Sequence, residues 1–246
     1  MSMLVDFLCR FGFGLSLGLV CTPARLVPSG FYRVNILVVM GLATLASLAA
    51  RGSVPSAAAW ILAAVAAVIA WIGSVAWLAE RRGAGLVACA ATGLAMGAAT
   101  AAVAAFVPGV EPGPLPAVRH LLSGAVVGLA VHAMLLGHWY LNAPGMSVEA
   151  LRRSIDVALV VWAVQLGVTL LATIAGGASA AGGSQTALAL GALRWLAGLV
   201  GLPVLLWMSR ETLAIPNTQS ATGILYVACL AAIVGELSGQ LLAASG

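Results

Sequence analysis

Two charged residues in the last third of the chain lie inside long apolar stretches, where a lipid-facing helix does not carry charge. Arg194 lies in the stretch 186–208, and Glu236 lies in the stretch 221–244. At about 1.5 Å per residue, each charge lies roughly 12 Å from one end of its stretch. A short polar connection joins the two stretches, so antiparallel neighbouring helices would place both charges at one membrane depth. We therefore predict that they form a pair, either at a functional site or as an ion pair that only holds the two helices together.

The composition is that of a membrane protein. Of the 246 residues, 62% are hydrophobic and 7% are charged, and the mean hydropathy is +1.10. The surface of a soluble domain of this size carries far more charge. The sequence therefore predicts an all-α, polytopic integral membrane bundle whose partner is the lipid bilayer and not nucleic acid. An excess of Ala and Gly, with Arg but no Lys, indicates a GC-rich bacterial genome and hence the bacterial cytoplasmic (inner) membrane.

A single transmembrane domain is expected, because the apolar stretches follow one another with only short connections. Crossing the hydrocarbon core takes about 20 apolar residues. G-x-x-x-G pairs at Gly14/Gly18, Gly93/Gly97 and Gly124/Gly128 favour close helix packing. Eight stretches are long enough, at residues 3–22, 32–50, 55–79, 84–107, 115–141, 154–177, 186–208 and 221–244.

The distribution of arginines predicts the orientation of this bundle. Seven arginines lie in the connections of one side and only two, Arg51 and Arg119, lie on the other side. Connections rich in Arg stay in the cytoplasm, so both termini are expected on the non-cytoplasmic side. The seven are Arg25, Arg33, Arg81, Arg82, Arg152, Arg153 and Arg210.

In this orientation several polar residues share the outer half of the membrane and could converge on one site. Asp6 and Arg119 are expected nearer the water, although Arg119, like Arg10, alternatively snorkels to the interface. A polar cluster in an apolar bundle suits a quinone, because its carbonyl oxygens need hydrogen-bond donors and its redox chemistry needs a proton relay. The candidate quinone-binding residues are Arg10, His120, Arg194 and Glu236.

A second candidate place is the cytoplasmic end of the fifth stretch. His138 and Tyr140 flank Trp139 there. They form either part of an aromatic belt at the interface or a contact with a redox or proton-transfer partner. His132 and Gln165 lie deeper, where either can simply satisfy a neighbouring helix.

Haem and iron–sulfur clusters are not expected within this chain. All three histidines lie in the fifth stretch, so no two of them face each other from different helices to ligate one iron. Ligation by His and Met, or at a dimer interface, is the remaining route to haem. The four cysteines are scattered singly, which does not favour a zinc or iron–sulfur site.

The final stretch resembles a known family. Thr222-Gly-Ile-Leu-Tyr226, running into Gly235-Glu236-Leu237-Ser238-Gly239-Gln240, is similar to the last helix of the DmsC/NrfD-like membrane-anchor subunits of molybdopterin oxidoreductases. That family has a Gly-Glu-x-x-Gly pattern followed by Arg, where this chain has Gln240. Eight helices with both termini outside also match. The resemblance implies a quinone-side polar network that includes Glu236 and Arg194, no haem in this chain, and docked iron–sulfur or cytochrome partner subunits.

Together these features predict a membrane subunit of a respiratory electron-transfer complex, which contributes at most the quinone site to an oxidoreductase. Glu236 is expected to donate or accept protons, Arg194 to pair with it and bind quinone, and His120 to be a second proton group. Two alternatives remain. One is a small-solute or proton-coupled transporter gated by the same pair, with Pro203 as the candidate helix break. The other is a structural or assembly protein in which the pair only fixes packing.

Overall fold

Long helical spans make up the bundle. The computed structural model describes residues 1–107, 113–143, 145–176, 184–215 and 217–245. In these ranges eight helices are long and apolar enough to cross a membrane, which confirms the predicted fold class. The first six are α1 Ser2–Cys21, α2 Ser29–Ser53, α3 Ala57–Leu78, α4 Arg82–Ala104, α5 Pro114–Asn142 and α6 Glu149–Gly176. The seventh consists of α7 Gln185–Leu193, a π-helical segment Arg194–Gly201 and α8 Leu202–Thr212, and the last is α9 Thr218–Ser245.

The predicted spans match these helices apart from their ends. The largest difference is at α6, which begins at Glu149 and not at residue 154. Arg152 and Arg153 lie in this added turn. High hydropathy marks only the part of a helix that crosses the hydrocarbon core. The helical hydrogen bonding continues beyond it into the polar interface.

Helix α1 lies at the centre of the bundle because small residues let its neighbours approach. It packs against α2, α4 and α5. A Cβ atom on Gly14 would overlap backbone atoms of Gly124 and Gly128 in α5, so this contact is backbone on backbone. Gly93 and Gly97 of α4 face side chains of α1. The close packing predicted from the three G-x-x-x-G pairs is therefore present on α1.

The remaining helices form two groups on either side of α1. Helices α2, α3 and α4 pack in sequence on one side, and α5, α9, α8 and α6 pack on the other. Helix α6 contacts α5 and α8, but within the described residues it makes no substantial contact with α7 or the π segment. Every residue of α7 is at least partly exposed. A gap therefore separates α6 from the first half of the seventh span.

The seventh span changes its winding where the sequence suggested a break. The N–H of Leu202 bonds to the carbonyl of Ala197, five residues earlier, and Pro203 follows at once. Proline donates no hydrogen bond to the preceding turn, and a wider turn is one way for a helix to accommodate it. The irregular stretch is thus residues 194–201, N-terminal to Pro203, and it begins at Arg194.

Candidate functional site

A buried arginine joins two carboxylates near the end of the bundle that carries both termini. Arg10 of α1 is only 2% exposed. Its Nε lies 2.8 Å from Asp6 Oδ2, one helical turn earlier. Its Nη1 donates to Ser123 Oγ at 2.6 Å and forms an ion pair with Glu236 of α9. Ser123 in turn donates to Glu236 Oε2 at 2.6 Å. Arg10 is therefore a structural centre of the network and not an interfacial, snorkelling residue.

The predicted direct pair between Arg194 and Glu236 is wrong. Glu236 pairs with Arg10, and among the described residues no carboxylate lies within ion-pair distance of Arg194. The prediction considered only the membrane depth of the two charges. Which charges meet also depends on the rotation of each helix about its own axis. The Arg194 guanidinium lies beside Gly239, where a Cβ would come within 3.3 Å of Nη1. Arg194 still interacts electrostatically with Glu236 across the site.

Asp6, one turn nearer the start of α1 than Arg10, is buried among the helices. Its side chain has no exposed surface. Besides Arg10, it pairs with Nε2 of His120 from α5 and accepts a hydrogen bond from Gln240 Nε2 of α9 at 3.1 Å. Three helices thus supply the partners that replace water around this carboxylate.

These residues surround one cavity of about 220 Å³. Arg10, His120, Arg194 and Glu236, which were predicted to converge, all line it. Its apolar wall includes Leu199 and Leu202 of the seventh span. Its polar lining residues are Arg10, Arg119, His120, Ser123, Gln165, Thr169, Arg194, Glu236 and Gln240.

The cavity presents more positive than negative charge. Three arginines line it, against one carboxylate, with Asp6 packed behind His120. Asp6 and Glu236 both pair with Arg10, so the three arginines exceed the two carboxylates by one charge, and the arginines outside these ion pairs are Arg119 and Arg194. The buried Nη2 of Arg10 has no hydrogen-bond partner in the described part of the chain. The cavity therefore offers donors to a ligand that carries acceptor oxygens.

The cavity lies at the gap between α6 and the seventh span. Gln165 and Thr169 of α6 form one side, and Arg194 and Gly198 of the π segment form the other. These two elements line the same cavity without substantial contact between their described residues. Gln165, which was expected only to satisfy a neighbouring helix, lines this side of the cavity.

His138 and Tyr140 lie at the opposite end of α5, outside the cavity. His138 Nδ1 is 3.0 Å from the Tyr226 hydroxyl of α9, and both residues are exposed. Tyr140 donates to the carbonyl of Ser147 and so fixes the connection to α6. The structure does not bring this pair together with the other predicted site residues, and a role for it at a partner's surface stays a prediction.

His132 is part of the core. It is buried, with Nε2 2.7 Å from Thr22 Oγ1 of α1, and the absence of a side chain at Gly18 makes room for its ring. It satisfies a neighbouring helix, which was one of the interpretations left open for it. Within the described residues, no group of three or more His, Cys, Asp or Glu side chains is placed to hold a metal ion.

Ser123 is the functional candidate that the sequence analysis missed. It lies three residues after His120, so both share a face of α5. The same spacing argument links Arg10 to Asp6 and Gln240 to Glu236, each four residues apart. Helical spacing from an already suspected residue was therefore the signal that could have found Ser123.

No protein-family model, curated protein or solved structure matches this chain. The fold and the cavity define it as a multi-pass helical membrane protein with a polar intramembrane site. The resemblance of α9 to the last helix of DmsC/NrfD-like anchors stays a prediction.

Proposed function

We propose that this protein is an integral membrane subunit of a bacterial respiratory electron-transfer complex, located in the inner membrane, and that it binds quinone or quinol in the cavity. The main support is a donor-lined polar cavity between α6 and the π segment, which make no substantial contact with each other among the described residues. We propose that the ligand enters from the lipid between these two elements. A ligand for such a cavity must be soluble in the bilayer and must carry acceptor oxygens. Quinones meet both requirements.

The lining residues supply what quinone chemistry needs. Arg194 and Arg119 are donors for carbonyl oxygens, and Gln165 adds an amide. His120 faces the same space and can exchange protons. Glu236 is held by two donors, so we assign it the role of fixing Arg10 and Ser123 as well as that of a second proton group.

Electrons must enter or leave a bound quinone through another redox centre. The resemblance of α9 to DmsC/NrfD-like anchors supports an iron–sulfur or cytochrome subunit as the partner. The end of the bundle that carries the termini is the natural docking side, because the cavity lies near it and a short path favours electron transfer.

A small-solute or proton-coupled transporter is the second candidate, and one observation favours it. The seventh span is irregular from Arg194 to Gly201, beside the cavity. Transporters often bind substrate at discontinuous helices. The sideways entry proposed here fits a lipid-soluble ligand better than a solute that passes from one aqueous side to the other. A structural or assembly protein would need only the ion-pair network, and the unpaired Arg194 would then have no role.

Purification in a mild detergent, followed by lipid extraction and mass spectrometry, tests the proposal. The wild type should carry quinone and a metal-containing partner protein. Arg194→Gln removes a donor without breaking an ion pair, so bound quinone should fall about tenfold, as expected for the loss of roughly 1.4 kcal/mol of binding. Arg51→Gln, the same change at an exposed arginine outside the cavity, should retain quinone. A wild-type protein that carries neither quinone nor a metal-containing partner would contradict the proposal and lead to solute-uptake assays.

A further inference from the structure

The arrangement around His120 gives its two ring nitrogens different roles. Nε2 is paired with Asp6, which lies behind the ring and does not line the cavity. Nδ1 has no hydrogen-bond partner among the described residues. A neutral imidazole that donates from Nε2 keeps a lone pair on Nδ1. The nitrogen left for a ligand in the cavity is therefore a proton acceptor.

Asp6 is fixed as the partner of this imidazole. Its Oδ2 is held by Arg10 Nε at 2.8 Å and by Gln240 Nε2 at 3.1 Å, so only Oδ1 faces His120. The cationic and amide donors around Oδ2 therefore fix the orientation of this carboxylate. A carboxylate placed in this way can stabilise a second proton on the His120 ring.

Arg194 lies on another wall of the same cavity with no carboxylate at ion-pair distance in the described chain. A cation held in an apolar bundle without a direct counter-ion favours a ligand that is negative or becomes negative. The charged and polar groups around His120 are Asp6 and Arg10 from α1, Arg119 beside it, Arg194 from the π segment, and Glu236 with Gln240 from α9.

We propose that the cavity ionises a hydroxyl-bearing ring, which identifies hydroquinone as the form of quinone that it receives; this inference rests on the proposed function. The ligand's O–H bond breaks, the proton bonds to His120 Nδ1, and the electron pair stays on the ligand oxygen. The resulting anion is stabilised by Arg194, and the imidazolium is stabilised by Asp6. No electron moves in this step, so it needs no oxidant. His120 and Arg194 touch the ligand, and Asp6 is a positioning residue.

The step can be measured with a probe that cannot undergo the redox reaction. 4-Nitrophenol carries a single ring hydroxyl, and its phenolate is distinguished from the phenol by its visible absorption. An opposite charge at close range favours ionisation by about 1–3 pH units. Bound to the purified full-length chain in detergent, the probe should therefore ionise at least about one pH unit below the free probe.

Three variants and one control assign the effect. Asp6→Asn and His120→Gln should still bind the probe but should show a smaller shift than the wild type, because only Arg194 then remains to favour the phenolate. Asp6→Glu keeps a carboxylate at this position and should retain part of the shift. A difference between Asp6→Glu and Asp6→Asn would show that the carboxylate positions the proton acceptor, whereas a general loss of structure would affect both variants. Arg194→Gln should weaken binding of the phenolate more than binding of the phenol. Arg51→Gln should behave like the wild type.

The outcomes separate this inference from the proposed function. If quinone co-purifies but the probe does not bind or does not shift, the ionising step is wrong and the quinone site stands. If the shift is equal in the wild type, Asp6→Asn and His120→Gln, the assignment of the proton acceptor is overturned. If the shift depends on His120 and Asp6 while no quinone co-purifies, the result supports the ionising site and contradicts the electron-transfer role.

Discussion

Arg10 is the residue on which the polar network depends, and this role was not apparent from its position in the sequence. It lies between Asp6 and Glu236, and all three side chains are largely or wholly buried. Separately, each of these charges would be costly inside an apolar bundle. Together with Ser123, His120 and Gln240 they pair with one another, so the network is stable as a unit and sensitive to the loss of one member.

Replacement of Arg10 should therefore destabilise the protein much more than replacement of Arg194. Arg10→Leu leaves two buried carboxylates without their cation, and the loss of one partner of a buried pair costs about 3–5 kcal/mol. Arg194→Gln breaks no direct ion pair and should change stability by less than about 1 kcal/mol. Thermal unfolding in detergent can be followed with a thiol-reactive dye, because Cys9 and Cys89 are free and buried. Equal losses in both variants would show that Arg194 also has a structural role.

Among the helices, the contact between α1 and α5 positions several of the polar residues of the site. Gly14, Gly124 and Gly128 bring the two backbones together. Asp6 and Arg10 lie on α1, and His120 and Ser123 lie on α5, so their hydrogen bonds depend on this close approach. The glycines are thus linked to function through the register of the two helices.

A side chain in this contact should disturb both folding and the site. Gly128→Ala would place a Cβ against the backbone of Gly14. Overpacking of this kind typically costs about 1–3 kcal/mol. Gly223→Ala on α9 meets nothing within 4 Å and is the matched control, expected to be neutral or slightly stabilising. The dye-based unfolding assay would detect the difference, and an equally stable Gly128→Ala variant would contradict the backbone contact.

The π segment places Arg194 by a different mechanism. Gly198, within it, packs on Gly235 of α9. Together with Gly239, these small residues bring the widened helix close to α9 and leave space for the guanidinium. The glycines of the stretch that resembles the DmsC/NrfD-like pattern therefore have a packing role in this fold, beside any role in quinone binding.

At the scale of the whole molecule, the eight spans found in the described residues place the start of α1 and the end of α9 at one end of the bundle, and the cavity lies near that end. The excess of arginine in the opposite connections predicts that this end is non-cytoplasmic. Alkaline phosphatase fused after residue 245 should be active, and the same reporter fused after residue 81 should be inactive. The reverse pattern of reporter activity would show that the bundle has the opposite orientation and that proton exchange takes place at the cytoplasmic side.

The sequence alone determined the membrane class, the number of spans and the set of polar residues that share one depth. Hydropathy and helix rise are local properties, so the positions of Arg10, His120, Arg194 and Glu236 along the membrane normal followed from counting residues. Pro203 also indicated the irregularity of the seventh span, which lies within a few residues of it.

Only the tertiary structure decided which charges meet. Pairing depends on how far each helix is rotated and on which helix is its neighbour, and both follow from packing at positions such as Gly14 and Gly128, far apart in sequence. As a result of this packing, Glu236 pairs with Arg10 and Asp6 is buried behind His120. Arg194 faces a cavity and has no carboxylate at ion-pair distance among the described residues. Depth is set by one helix at a time, whereas a site within a bundle is set by all of its helices together.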